Sequence, residues 1–291
     1  IDTSTPKAAV GDTPYDPDVM AWTGSLGDEL GITNAADECI LLHVELKAEG
    51  VSTPGDIRTV AIDPDNNVFV GGNGTRSIFK VNGATGAILK AVEPASDVSQ
   101  SLYGGVVDKD GNLWSMSSGS GKVQKTSSDL TQTQLIDIGH SGYGIAIDKF
   151  GKIWTTEYSG SRFSAFDPAD PAGTLKVFNQ QDHYGAQGVA SDDNGDIFIA
   201  GSLGGSSVGH YKQTFGDDGK FSGVSFVANY TVGSGPTGVA VDGAGRVWAT
   251  NYYSSNISRI TLAANPAEAV VDTFPVGSSP YNYSDMTGRV V

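Results

Sequence analysis

The chain has 291 residues, of which 39 are glycine and 38% are hydrophobic, and its formal net charge is −15 at pH 7. Because so acidic a chain offers no basic stripe to phosphate groups, its composition argues against a nucleic-acid partner. No apolar run approaches the roughly 18 residues that a membrane-spanning helix needs, so we expect no transmembrane segment. The single cysteine, Cys39, excludes an internal disulfide.

Residues 1–37 do not fit the strand pattern of the rest of the chain. Pro6, Pro14 and Pro17 interrupt this stretch, and Trp22 is the side chain best suited to anchor it. We therefore predict an N-terminal extension or insertion over residues 1–37 and one all-β domain over residues 38–291. Helical periodicity is not convincing anywhere in the chain, and its short apolar runs separated by glycine favour strands and turns.

A repeated pattern organises the domain: an aspartate ends one strand, a turn residue follows three positions later, and an aromatic residue follows six positions later. The aspartates are Asp63, Asp108, Asp148, Asp192 and Asp242. The turn residues are Asn66, Gly111, Gly151, Gly195 and Gly245, and the aromatic residues are Phe69, Trp114, Trp154, Phe198 and Trp248. Glycine and asparagine reach a positive φ cheaply, as a tight turn between strands requires.

The spacing of this pattern predicts a β-propeller. A period of about 40–50 residues with several strand-like runs per unit is typical of one propeller blade. We predict whole blades at residues 56–92, 102–138, 143–178, 186–232 and 237–276, and expect Trp114, Trp154 and Trp248 to be core residues.

A sixth copy begins near the C-terminus, where Asp285 and Gly288 keep the offset of three. Propellers commonly build one blade from both termini, since a closed ring leaves no free strand edge. Residues 38–46 would donate the missing strands. We therefore predict six four-stranded blades with a closing blade shared between the termini, and five or seven blades remain open as alternatives.

The segments 235–242 and 247–251 carry a resemblance to a known group of propellers: Gly-Pro-Thr-Gly-Val-Ala-Val-Asp, and then Val-Trp-Ala-Thr-Asn. In these residues the chain resembles the NHL-repeat and streptogramin-lyase-like propeller superfamily, over residues 38–291. The runs 37–45 and 280–288 also look like propeller modules of large bacterial exported or surface proteins. The resemblance implies an extracellular or cell-surface location and a module that is part of a larger chain or assembly.

Blade geometry separates turn residues from candidate ligand residues. The Asp-x-x-Gly turns share one face of a propeller, and the loops that lead into each blade or follow its second strand share the opposite face, where propellers usually bind ligands. That face should carry Arg58, Tyr103, His140, Tyr143, Glu157, Tyr158, His183, Tyr184, Gln187, Asn251, Tyr252, Tyr253 and Tyr281. Our predicted ligand site consists of Tyr143, Glu157, Tyr158, His183, Tyr184, Asn251 and Tyr252. Flat aromatic faces with polar neighbours suit a carbohydrate or an extended protein or peptide ligand.

The resemblance also implies an enzymatic alternative at the same face. A streptogramin-type lyase needs an acid, a base and a metal ion there, and His140, Glu157 and His183 are the residues in suitable loops. A lactonase needs carboxylate and asparagine ligands for calcium, for which this chain offers Glu157 and Asn251. Because these sets are sparse, we predict a non-enzymatic module for binding, adhesion or assembly. A purely structural spacer is the other open interpretation.

The turns themselves permit a calcium interpretation. Asp65, Asp108, Asp110 and Asp192 stand in runs of alternating aspartate, asparagine and glycine, as in calcium loops. These runs lack the bidentate glutamate that closes such loops, and aspartate suits turns by bonding to its own backbone. We therefore expect no cofactor, with bound Ca²⁺ at one of these turns as the alternative.

Overall fold

The computed structural model describes residues 44–181, 185–202 and 204–281. The chain divides into two compact units, one of Leu46–Gly83 with Ile88–Val291 and one of Ile1–Glu45 with Ala84–Ala87. In the second unit, Thr85 Oγ1 accepts a hydrogen bond from the backbone N–H of Ala87 over 3.3 Å. All strands given below belong to the first unit. No helix in the described part of the chain is long and apolar enough to cross a membrane.

The first unit is a β-propeller whose described residues form five four-stranded antiparallel blades. Blade 1 contains β1 (Asp56–Ile62), β2 (Asn67–Asn73), β3 (Ile78–Asn82) and β4 (Ile88–Val92). Blade 2 contains β5 (Gly104–Val107), β6 (Leu113–Met116), β7 (Lys122–Thr126) and β8 (Thr133–Asp137). Blade 3 contains β9 (Ile145–Ile147), β10 (Ile153–Thr156), β11 (Arg162–Phe166) and β12 (Lys176–Asn179), with the helical turn α1 (Pro171–Thr174) before its last strand.

The remaining two blades differ in length. Blade 4 contains β13 (Val189–Ser191), β14 (Ile197–Gly201), β15 (Ser207–Phe215) and β16 (Phe221–Thr231). Blade 5 contains β17 (Pro236–Val241), β18 (Val247–Asn251), β19 (Asn256–Thr261) and β20 (Val270–Pro275), with a 3₁₀ turn at Pro266–Glu268. In every blade the strands lie side by side in chain order. The first strands of consecutive blades are neighbours, so each blade runs outward from its first strand.

The turn aspartates shape the first hairpin of each blade. Asp108 Oδ1 accepts the backbone N–H of Asp110 over 3.0 Å and that of Asn112 over 2.9 Å. Gly111, between them, has φ +80°, a conformation that costs a residue with a Cβ about 1 kcal/mol or more. The same aspartate therefore closes the turn and fixes where the second strand begins.

The core lies between blades, in four apolar clusters. Trp114 of blade 2 packs with Ile145 and Ile153 of blade 3. Trp154 of blade 3 packs with Val189 and Ile197 of blade 4 in the same manner. Both tryptophans are fully buried, which confirms their predicted place in the core.

Glycines allow the first strands of neighbouring blades to approach closely. A Cβ on Gly188 would lie 2.7 Å from the Cα of Gly238, and a Cβ on Gly144 would lie 2.2 Å from the carbonyl oxygen of Gln187. No side chain fits at such distances. Blades 3, 4 and 5 therefore meet backbone against backbone beside their first strands.

The predicted count of six blades with a closing blade shared between the termini is wrong, because the described residues form five four-stranded blades. The proposed sixth copy, at Asp285 and Gly288, lies outside the described residues. Of its proposed partner run, 38–46, the described residues 44–46 form no strand. An aspartate and a glycine specify a turn, but in each of the five described blades the second strand also carries an aromatic residue six positions after the aspartate. The sixth copy has Val291 at that position. The predicted domain boundary at residue 37 lies outside the described residues and stays a prediction.

Candidate ligand-binding site

The described residues enclose a cavity of about 490 Å³ on the face opposite the aspartate turns. We call it the tyrosine cavity, and it is lined by Arg58, Tyr158, Gln187, Ser202, Gly235, Thr237, Tyr252, Tyr253 and Tyr281. Apart from Tyr281, which follows β20, these residues stand where first strands begin or second strands end, in blades 1, 3, 4 and 5. Its volume falls within the range of about 300–1,000 Å³ that is usual for small-molecule sites.

One wall of the tyrosine cavity is an aromatic corner after β18. The backbone N–H of Tyr252 donates to the carbonyl of Gly235 over 2.9 Å. The ring of Tyr253 packs against Gly235, where a Cβ would lie 2.4 Å from Tyr253 Cδ2. The ring of Tyr252 stands at 81° to Tyr253 and 88° to Tyr281, with centroids 5.2 and 5.9 Å apart. The ring of Tyr252 is therefore edge-on to both of its aromatic neighbours.

A second wall is the ring of Tyr158, which stacks on Tyr143 with centroids 4.8 Å apart and 28° between the planes. Tyr143 is only 2% exposed, whereas Tyr158 is 38% exposed. Tyr158 therefore rests one face on a buried ring and keeps part of its surface open.

Three phenol groups meet behind these walls. The hydroxyl of Tyr143 lies 2.9 Å from that of Tyr103, and the hydroxyl of Tyr281 is hydrogen-bonded to both. Burial raises the pKa of Tyr103 and of Tyr143, so both phenols stay neutral at physiological pH. The cluster ties the end of the described chain to blades 2 and 3.

The charged side chain in the described lining is Arg58. Its Nη2 lies 2.6 Å from Asp56 Oδ2, and its guanidinium lies 5.6 Å from the centre of the Tyr103 ring. A carboxylate at that distance neutralises most of the charge that the guanidinium would present to a ligand. The cavity therefore presents mainly aromatic and neutral polar groups.

Glu157, predicted as a ligand or catalytic residue, is not in this lining. It is 5% exposed, and its carboxylate binds the Arg162 guanidinium at 2.9 Å (Nε to Oε2) and 2.5 Å (Nη2 to Oε1). The hydrogen bonds from Arg162 hold the pKa of Glu157 below its ordinary value. Both carboxylate oxygens are thus engaged in closing the β10–β11 hairpin.

His140, the predicted base, is also engaged inside the protein. Its Nε2 lies 2.9 Å from Ser164 Oγ and its Nδ1 lies 2.9 Å from the carbonyl oxygen of Ser141. The ring is 3% exposed, and burial lowers the pKa of the imidazole, so it is neutral at pH 7. It contributes to the packing of blades 2 and 3 and does not line the tyrosine cavity.

Asn251 is fully buried at the end of β18. Its Nδ2 donates to Asn256 Oδ1 over 2.8 Å and to Ser258 Oγ over 3.0 Å. His183 and Tyr184 lie outside the described residues. Of the predicted ligand set, the cavity lining therefore contains Tyr158 and Tyr252, and Tyr143 supports Tyr158 from behind. Ser202, Gly235 and Thr237 were not predicted, since small neutral residues carry no signal beyond their place next to a strand.

The candidate calcium residues fall into two groups. Asp108 and Asp192 are buried, and the Oδ1 of each accepts backbone N–H groups of its own turn. Asp65 and Asp110 are exposed at the turn tips. In the described part of the chain, no group of three or more His, Cys, Asp or Glu residues is placed to hold a metal ion. Calcium binding stays an untested alternative.

Comparison with solved structures supports the fold and gives no family assignment. No family model matches the chain, and no curated protein matches it. A streptogramin B lyase superposes with a TM-score of 0.60 at 18% identity, covering 77% of this chain and 70% of the lyase. A protein of unknown function from Desulfotomaculum acetoxidans has a TM-score of 0.61 at 17% identity, covering 78% and 72%. A chain of a nidogen/laminin complex has a TM-score of 0.54 at 15% identity, covering 75% and 80%.

At such low identity these likenesses concern the fold. They confirm the predicted resemblance to streptogramin-lyase-like propellers. Because a lyase and a chain of a protein complex share this architecture, the fold alone does not decide the activity.

Proposed function

We propose that the chain is a non-enzymatic binding module and that its ligand occupies the tyrosine cavity. The observation that carries the proposal is that exposed aromatic rings in the cavity are held in fixed positions. Tyr158 is held by Tyr143, and Tyr253 is held by Gly235, while both keep a large exposed surface. Rigid aromatic rings give contact area at little cost in conformational entropy, so they are suited to binding.

The chemistry of the lining also favours binding over catalysis. The described lining contains no carboxylate or imidazole, and these are the side chains that most often transfer protons in catalysis. Glu157 is bound by Arg162, and His140 Nε2 lies within hydrogen-bond distance of Ser164 Oγ, so both side chains have partners outside the described lining.

We further propose that the module serves adhesion or assembly outside the cell, as part of an exported or surface protein. The resemblance of residues 37–45 and 280–288 to such proteins supports this placement. The net charge of −15 supports solubility in that setting.

The test is a binding screen on carbohydrate and peptide arrays with the wild type and the double variant Tyr158→Ala/Tyr252→Ala. We expect the wild type to bind and the double variant to lose binding while keeping its circular dichroism spectrum. Phe150→Ala is the matched control, because Phe150 is 50% exposed at an aspartate turn. If the wild type and the double variant bound equally well, the tyrosine cavity would not be the binding site. A turnover of cyclic esters that Glu157→Gln abolishes would refute the non-enzymatic assignment.

A further inference from the structure

We infer that the ligand of the tyrosine cavity is a neutral saccharide whose sugar ring stacks on Tyr158 or on the corner formed by Tyr252 and Tyr253. This inference rests on the proposed function and specifies its ligand. Three properties of the described lining lead to it: the geometry of the rings, the kind of polar groups beside them, and the balance of charge.

The rings offer platforms rather than a closed apolar pocket. Tyr158, Tyr252, Tyr253 and Tyr281 are 38%, 36%, 62% and 40% exposed. A pyranose ring has one face of C–H bonds, with a slight positive charge, and its hydroxyls point outward from the rim. The face of an aromatic ring carries slight negative charge and so attracts such C–H bonds. A wholly apolar ligand would instead favour rings that enclose it.

The polar side chains beside the rings are neutral. Gln187, Ser202 and Thr237 line the cavity and are each at most 5% exposed. Gln187 Oε1 is buried without a hydrogen-bond partner in the part of the chain that the structure describes. An unpaired buried carbonyl costs about 1–3 kcal/mol, and the hydroxyl group of a ligand at this wall is a donor that would relieve the cost. Sugars carry such hydroxyls at every edge.

The balance of charge argues against an anionic ligand. Asp56 lies 2.6 Å from the Arg58 guanidinium, and the chain as a whole carries −15. An acidic polysaccharide or a phosphorylated ligand would meet a neutralised arginine in a negative field. A cationic ligand would need a carboxylate in the cavity, and the described lining has none. A neutral ligand avoids both penalties.

The cavity is also too small for most extended peptides. Its volume is about 490 Å³, and each peptide residue would bring one N–H and one C=O group that need partners. The three neutral polar side chains of the described lining satisfy the edge of a short saccharide more readily than a row of backbone groups.

The experiment uses saturation-transfer NMR and calorimetry on the full chain with three defined sets of probes. These are neutral di- to tetrasaccharides of glucose, galactose, mannose and N-acetylglucosamine, oligogalacturonates, and uncharged peptides of similar mass. At least one neutral saccharide should bind, with a Kd that stays constant as NaCl rises from about 0.05 to 0.5 M. Tyr158→Ala should weaken it roughly three- to tenfold, the effect of one lost stacking contact. Tyr158→Phe should preserve it, because the ring remains, and Phe150→Ala should leave it unchanged.

The outcomes distinguish a failure of the saccharide inference from a failure of the proposed function. Binding of peptides or oligogalacturonates that depends on Tyr158, with neutral saccharides silent, would overturn the saccharide inference and leave the cavity as the site. Absence of any binding that depends on Tyr158 or Tyr252 would overturn both the inference and the proposed function. If Tyr158→Ala fails to fold, Gln187→Leu decides instead: neutral saccharide binding that the loss of the Gln187 amide does not weaken would contradict the assigned cavity.

Discussion

The indole Nε1 of Trp114 donates a hydrogen bond to Asp108 Oδ2 over 2.8 Å. The donor and the acceptor are thus the aromatic residue and the aspartate of the sequence repeat. The same bond recurs in two further blades, at 2.8 Å for Asp148–Trp154 and at 2.9 Å for Asp242–Trp248. One tryptophan therefore fills the space between blades and satisfies the turn that begins its own strand.

In the two described blades whose repeat has phenylalanine instead of tryptophan, another side chain donates to Oδ2 of the turn aspartate. In blade 1, Lys80 Nζ lies 2.9 Å from Asp63 Oδ2, and Lys80 pairs with Phe69 across β2 and β3. In blade 4, Asn194 Nδ2 donates to Asp192 Oδ2 over 3.1 Å. In each of these blades the carboxylate of the turn aspartate has a partner, because burying an unpaired carboxylate is costly.

The first prediction concerns the bond between Trp114 and Asp108. Trp114→Phe keeps most of the ring but removes the donor, so it should lower the free energy of unfolding by about 1.5–3 kcal/mol, the usual worth of a hydrogen bond to a charged group. Urea denaturation of Trp114→Phe, Asp108→Ala and the double variant gives the coupling energy. A coupling below about 0.5 kcal/mol would show that the two residues act independently.

The second prediction concerns the replacement donor in blade 1. Lys80 and Asp63 have side chains only 13% and 2% exposed. Lys80→Met should therefore cost about 1.5–3 kcal/mol, because Asp63 keeps its bonds to Asn67 but loses its charged partner. Lys109→Met is the control, since Lys109 and Asp110 form an ion pair at the surface. A thermal melt in which the two variants are equally stable would contradict the prediction.

The third prediction concerns pH and the pair Glu157–Arg162. The pKa of Glu157 is lowered from its ordinary value of 4.5 in the folded state, mainly by hydrogen bonds from Arg162. The unfolded chain therefore takes up the proton first as the pH falls. The stability that the pair contributes is present above pH 4.5 and is lost as the pH falls through the folded pKa.

Glu157→Gln should accordingly have a flatter profile of unfolding free energy than the wild type between about pH 5 and 3. Guanidinium melts at several pH values measure the profile. Glu268→Gln, at an exposed position, serves as the control. Parallel profiles for the wild type and Glu157→Gln would mean that the ion pair does not contribute to stability.

The fourth prediction concerns the close approach of blades 3 and 4. A Cβ on Gly144 would lie 2.2 Å from the carbonyl oxygen of Gln187 and 2.6 Å from Thr156 Oγ1. Gly144→Ala should therefore destabilise the protein by about 1–3 kcal/mol, as overpacking usually does. Gly243→Ala is the matched control, since nothing lies within 4 Å of its added Cβ. Equal urea midpoints for the two variants would count against a backbone contact at this position.

The fifth prediction compares two tryptophans that are equivalent in sequence. Trp114 is fully buried against blade 3, whereas Trp248 is half-buried, as blade 5 is the last of the described blades. Trp114→Ala should cost about 3–5 kcal/mol, and Trp248→Ala should cost clearly less, because less surface leaves water on folding. Equilibrium unfolding of both variants tests the order. A larger loss for Trp248→Ala would show that blade 5 has a covering partner in solution.

The sequence predicted the features that depend on neighbours in the chain. An aspartate, a turn glycine and an aromatic residue within seven positions contact one another in a single hairpin, so their spacing alone marks each blade. The predicted range 56–92 for blade 1 accordingly matches β1 to β4 at both ends.

Features that depend on contacts between blades were decided by the tertiary structure. Glu157 and Tyr158 are adjacent in the chain, yet the carboxylate of Glu157 is bound by Arg162, whereas Tyr158 lines the tyrosine cavity. Which side chain points inward depends on how the hairpin ends pack on their neighbours, and no local pattern records that.

By itself, then, the sequence determined an all-β propeller with a repeated Asp-turn hairpin and placed aromatic residues on the face opposite the turns. The tertiary structure alone decided that the described blades number five, that His140 and Asn251 are buried, and that Tyr158, Tyr252 and Tyr253 share one cavity. The physical reason is range: turn chemistry acts over a few residues, whereas a cavity is formed by side chains that meet only after separate blades have packed.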